Sequence, residues 1–99
     1  MEIKSEATAG TLESSDAQVT IEPSDGGIYF ELSSSVMNQY GRQIRNVVLE
    51  TLKNLEVESA KIKVVDRGAL DSTIKARVEC AVFRSSGWEG AIPWRGLVK

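Results

Sequence analysis

Apolar and polar residues alternate from Ala17 to Glu22: Ala17, Val19 and Ile21 are separated by Gln18 and Thr20, and Pro23 stops the run. A period of two puts one set of side chains on one face, so this stretch predicts a half-buried strand. Ser24-Asp25-Gly26-Gly27 supplies turn residues, after which Ile28, Phe30 and Leu32 alternate with Tyr29, Glu31 and Ser33. The two runs and their short connection predict an antiparallel hairpin. Beyond Ser33-Ser34-Ser35, whose hydroxyls suit a helix N-cap, the period changes, and Val36, Tyr40, Ile44, Val47, Val48, Leu52 and Leu55 recur three or four residues apart. That spacing gathers them on one face of an amphipathic helix ending near Asn54. Ala60, Ile62 and Val64 alternate with Lys61 and Lys63 as a third strand, and Asp66-Arg67-Gly68 turns the chain.

From Leu70 to Arg84 two periods compete. Ile74, Ala76, Val78, Cys80 and Val82 alternate as in a strand, whereas Leu70, Ile74, Val78, Ala81 and Val82 form a helical stripe. The good helix formers Lys75, Ala76, Arg77, Glu79 and Ala81, with Asp71 and Ser72 suited to a first turn, favour the helix. The order is then β-β-α-β-α. A right-handed crossover from the second strand to the third leaves the first strand between them, antiparallel to both. The expected fold is a small α+β two-layer sandwich, a three-stranded antiparallel sheet with two helices on one face. Residues 1–16 are small and polar without a period and read as a mobile arm; 17–84 form the core, and 85–99, with Trp88, Pro93 and Trp94, an irregular tail. The tryptophans either close an edge of the core or anchor a partner.

The whole chain, 1–99, reads as one domain. Its net charge of −2 removes the broad attraction to phosphate backbones, so a nucleic-acid partner is not expected despite the basic strand. There is no histidine, which weighs against a self-contained enzyme. Cys80 has no second cysteine to pair with, falls short of a metal site, and sits among apolar neighbours that suit core filling. With no apolar run suited to a signal peptide or a bilayer span, a cytoplasmic setting and no membrane association are expected.

Candidate chemistry lies in Ala9-Gly10-Thr11-Leu12-Glu13-Ser14-Ser15-Asp16, which sets small hydroxyls between acidic residues on a polar segment. Glu13 and Asp16 read as a solvated acidic flank rather than a catalytic pair, and Lys61, Lys63, Arg67, Lys75 and Arg77 as either a solvated face or a phosphate cradle. This segment resembles the modification site of the citrate lyase acyl carrier (gamma subunit) family. Asp66-Arg67-Gly68-Ala69-Leu70-Asp71, the stretch from Ile74 to Val82, and Pro93-Trp94 extend the resemblance over nearly the whole chain. It implies a non-catalytic carrier in which the serine after Leu-Glu, here Ser14, bears phosphoribosyl-dephospho-coenzyme A through a phosphodiester; Ser15 is the alternative acceptor. It further implies citrate lyase alpha and beta subunits, a prosthetic-group transferase and an acetylating ligase as partners, and acetyl and citryl thioesters as cargo. The carrier subunit of malonate decarboxylase and an unmodified adaptor subunit are the other readings.

Overall fold

The computed structural model describes residues 1–34 and 37–87, and for 37–40 the backbone alone. Its elements run β1 (Ala7–Gly10), β2 (Ala17–Glu22), β3 (Ile28–Ser34), α1 (Met37–Asn54), β4 (Ala60–Asp66) and α2 (Asp71–Ser85). The ambiguous stretch is a helix. Both helices stop close to where the patterning places them.

The sheet differs from expectation in strand number, order and direction. It is four-stranded, in the order β1-β2-β4-β3, with β1 and β4 antiparallel to β2 and with β3 parallel to β4. The expected hairpin is therefore absent: β4 lies between β2 and β3, and β2 is not the strand that separates the other two. The cause is in the connections. A helix joining β3 to β4 returns the chain to the same end of the sheet, which is what a parallel pair needs. Pro23–Gly27 must then cross two strand spacings, about 9.5 Å, which five residues span easily. The loop also receives the start of β4, since the Ala60 amide donates to the Gly27 carbonyl at 3.1 Å and the Gly27 amide to Ser59 Oγ at 3.3 Å.

The fourth strand comes from the segment read as a mobile arm. Ala7-Thr8-Ala9-Gly10 has no β-branched or aromatic alternation of its own; its order is imposed by pairing with β2 from Ala7↔Ile21 to Gly10↔Gln18. Ala9 is buried there, as is Ile3 upstream, and the Lys4 and Ser5 amides both donate to the Ser85 carbonyl at the end of α2. Arg84 Nη1 donates to the Thr8 carbonyl at 2.7 Å, so the outer strand is held by the helix as well as by the sheet.

Ala17, Val19 and Ile21 of β2 and Ala60, Ile62 and Val64 of β4 are buried on one face of the sheet, with Ile44, Val48 and Leu52 from α1 and Ile74, Val78 and Val82 from α2 in the same core. The other face is polar and open. Lys61 and Lys63 stand on it opposite Glu22 and Glu31, both at 3.9 Å, in exposed ion pairs that contribute little to stability. Cys80 is partly buried against the core, as its apolar neighbours suggest. Ser33 and Ser34 belong to β3 rather than capping α1, while Ser35, Val36, Trp88, Pro93 and Trp94 lie outside the described residues. Leu70, with extended backbone, precedes α2, and no side chain caps it.

Candidate functional site

The loop between β1 and β2 carries Ser14 at an exposed tip. Glu13, Ser14, Ser15 and Asp16 form a turn closed by the Asp16 amide donating to the Glu13 carbonyl at 3.2 Å. Ser15 adopts φ 64°, as the third residue of a type II turn must, although glycine and asparagine are the usual occupants. That conformation is strained for serine, and the surroundings hold it. The Ser15 amide donates to the Arg67 carbonyl at 2.8 Å, and the Arg67 amide donates back to the Asp16 carbonyl at 2.9 Å. The turn is thereby tied to the loop that follows β4.

Asp16 is the centre of this arrangement. Its Oδ1 accepts from the Ala17 amide at 2.7 Å and from Arg77 Nε at 2.9 Å. Its Oδ2 accepts from the Thr11 hydroxyl at 2.6 Å, the Thr11 amide at 3.2 Å and Arg77 Nη2 at 3.0 Å. The Arg77 hydrogen bonds, followed by that from Thr11, hold the carboxyl well below the usual carboxylate range. A carboxylate so occupied is a weak base, so Asp16 shapes the turn and does not activate the neighbouring hydroxyl. This corrects the reading of Asp16 as a solvated flank: its side chain is 14% exposed and fork-bonded to α2. Glu13 is exposed, as expected.

Gly10 makes the approach possible. It has φ +89°, and a Cβ there would fall 1.9 Å from the Ala17 carbonyl oxygen and 3.0 Å from Arg77 Cδ. Only glycine lets β1 come this close to β2 just before the loop opens.

The basic residues do not form one cradle. Lys61 and Lys63 stand on the open sheet face, Arg77 is committed to Asp16, and Arg67 is exposed beside the turn. Patterning along the chain carries no signal for the Asp16–Arg77 pair, whose members are 61 residues apart. Thr11 is likewise held by Asp16, which leaves the exposed Ser14 and Ser15 as accessible hydroxyls at the tip. Among the described residues there is no group of three or more potential metal ligands, and no helix long and apolar enough to cross a membrane.

Residues 4–85 match the acyl carrier family model described as malonate decarboxylase delta subunit. The chain is 58% identical over 90 residues to a citrate lyase acyl carrier protein of Streptococcus equi subsp. zooepidemicus, covering 90% of this chain and 88% of that one. It is 50% identical over 99 residues to one of Lacticaseibacillus casei, covering 95% and 98%, and 53% identical over 87 residues to one of Fusobacterium nucleatum, covering 87% and 93%. In three dimensions it is similar to a chain of a Pseudomonas malonate decarboxylase hetero-tetramer solved in complex with malonate. The TM-score there is 0.73 at 20% identity, over 83% of this chain and 84% of that one, which shows a shared fold.

Proposed function

The chain belongs to the family of citrate lyase acyl carrier proteins, and from that membership we propose that it is the non-catalytic carrier subunit of a citrate lyase, with Ser14 as the residue that bears its prosthetic group. The group this reading calls for is phosphoribosyl-dephospho-coenzyme A, whose terminal thiol supplies the site of acetyl and citryl attachment during cleavage of citrate to oxaloacetate and acetate. The observation that carries the assignment is the turn itself: an exposed primary hydroxyl at the tip of a loop fixed from three sides. The residues around it suit an acceptor. Ser14 presents the hydroxyl, Asp16 and Arg77 hold the backbone beneath it, and Gly10 lets the loop leave the sheet abruptly.

Asp16 is fully engaged, the exposed Glu13 carboxylate makes no hydrogen bond to the Ser14 hydroxyl, and the chain has no histidine, so no base in the turn is in place on that hydroxyl. An unassisted serine is a weak nucleophile, so its proton must be taken by the modifying transferase. With triphosphoribosyl-dephospho-coenzyme A as donor, Ser14 Oγ forms one bond to the phosphorus nearest the ribose and pyrophosphate leaves. The partners this implies are the alpha and beta subunits, the transferase and an acetylating ligase, in the cytoplasm. Tethering keeps the acyl group at high effective concentration near successive active sites.

Intact mass tests the assignment. Wild type and Ser15→Ala should gain the mass of the group when incubated with transferase and donor, and Ser14→Ala should not. Modification of Ser14→Ala together with its loss in Ser15→Ala moves the site by one residue. No gain in wild type, under conditions that modify a known carrier, removes the carrier reading in favour of an unmodified adaptor. A second reading, the carrier of malonate decarboxylase, is favoured by the family description and by the fold neighbour. Activity of the purified complex toward citrate and malonate separates the two.

A further inference from the structure

Among the described residues, three large apolar side chains are exposed: Leu12 at 51%, Tyr29 at 56% and Leu70 at 73%. An isolated surface leucine needs no explanation, but two of these three lie at the end of the molecule that carries Ser14. Ala17 pairs with Asp66, so the loop that ends at Asp16 and the loop that begins at Arg67 meet the sheet at one end. Tyr29 is elsewhere. It pairs with Lys61, five residues back along β4, and so stands about 16 Å along the sheet from that end.

The two leucines flank the acceptor. Leu12 precedes Ser14 by two residues, which keeps their Cα atoms within about 8 Å of each other. On the other side, the Ser15 amide is bonded to the Arg67 carbonyl at 2.8 Å, and adding the covalent spans around that bond limits the Ser14 to Arg67 Cα separation to about 8 Å. Leu70 is three residues beyond Arg67, in a loop folded back by the Ala69 amide, which donates to Asp66 Oδ1 at 2.9 Å. Beside Leu70, Ile44 and Ala69 border a surface groove of about 660 Å³, a socket for an incoming apolar side chain.

We propose that Leu12 and Leu70 are the apolar contacts by which the prosthetic-group transferase seats itself over Ser14. The inference rests on the carrier reading above. The chemistry decides the occupant. Subunits that act on the arm's thiol work at the far end of a long tether and have no need to touch the turn. The transferase acts on Ser14 Oγ itself, so the phosphorus of its bound donor must come within about 3.5 Å of that oxygen. A contact surface of ordinary size around that point, about 800 Å² on each partner, has a radius of about 16 Å and reaches across both loops.

The test measures loading kinetics by intact mass, with purified transferase and triphosphoribosyl-dephospho-coenzyme A, on wild type, Leu12→Ser, Leu70→Ser, Leu70→Met and Tyr29→Ser. Losing either leucine from the contact should raise the KM for the carrier about five- to tenfold with kcat unchanged, since such a contact is equally strong before and during phosphoryl transfer. Leu70→Met should restore the wild-type KM, and Tyr29→Ser should match wild type. Serine is a favoured residue at the start of a helix, so Leu70→Ser keeps α2. Because Leu70 lies outside the turn, this variant keeps the test independent of any change that Leu12→Ser causes in the turn itself. A wild-type KM in Leu70→Ser, or an equal rise in Tyr29→Ser, overturns the proposal and leaves the carrier reading intact. Loading at the wild-type KM with slowed citrate cleavage by the reassembled complex gives the leucines to the lyase subunits and overturns it as well. If wild type gains no mass under conditions that modify a known carrier, both fall.

Discussion

Replacing Gly10 with alanine tests whether the turn owes its shape to the close approach of β1 and β2. An L-residue at φ +89° costs about 1–2 kcal/mol from backbone sterics alone. The new methyl would also lie 1.9 Å from the carbonyl oxygen of Ala17, a fully buried residue paired with Asp66 of β4, so the neighbour cannot simply move aside. Relief requires opening the end of the β1–β2 ladder, at about 1 kcal/mol per hydrogen bond, and displacing Arg77 Cδ from 3.0 Å weakens its grip on Asp16 by a similar amount. The sum is roughly 3–4 kcal/mol. For a domain of this size that lowers the melting temperature by about 12–30 °C, readable by circular dichroism. Two other glycines separate the contributions. Gly68→Ala, at φ +87° in open space, should lose only about 1–2 kcal/mol, and Gly26→Ala, with neither constraint, should be neutral or slightly stabilising. If Gly10→Ala loses no more than Gly68→Ala, the steric argument is refuted.

A double-mutant cycle on Asp16→Ala and Arg77→Ala should give a coupling near 1 kcal/mol, discounted because Arg77 is 39% exposed; a value of zero would deny the pair its role. Because the folded-state pKa of Asp16 lies below its ordinary 3.8, its contribution is complete above that value and is lost as pH falls through 3.8 and below, so the stability advantage of wild type over Asp16→Asn should shrink in acid denaturation scans under pH 4. Glu79 behaves in the opposite sense: burial raises its pKa above 4.5 against the pull of Lys75, so its stability is highest with the proton on and is lost as pH rises through the raised value. Glu79→Gln should therefore melt higher than wild type at neutral pH. Cys80→Ala should lose on the order of 1 kcal/mol of packing and leave acyl loading unchanged in a fully modified protein.

The elements that were legible in the chain are those whose own residues pay out a period: Ala17–Glu22, Ile28–Ser34, the long helix through Ile44, Val48 and Leu52, and Ala60–Asp66. Even the contested Asp71–Ser85 followed its helix formers. What was not legible depends on partners distant in sequence. Ala7–Gly10 is a strand because β2 and α2 make it one, and a short run of small residues carries no period to announce that. The position of β4 between β2 and β3 follows from which edge the returning helix selects. At the site, local composition and family resemblance propose Ser14 as the acceptor, whereas the grip of Arg77 on Asp16 and the Arg67 backbone bridge have no local signature.

The backbone bridge between Ser15 and Arg67 and the carboxylate fork on Arg77 have one more consequence. Both restraints come from residues that emerge long after Ser14 during synthesis, and from β4 and α2, which take their places only when the domain closes. A nascent or unfolded chain offers the same hydroxyl on a formless strand, and so does a synthetic peptide of residues 9–18. An enzyme that reads the contour of this turn can thus tell finished molecules from unfinished ones, and loading becomes a certificate of folding.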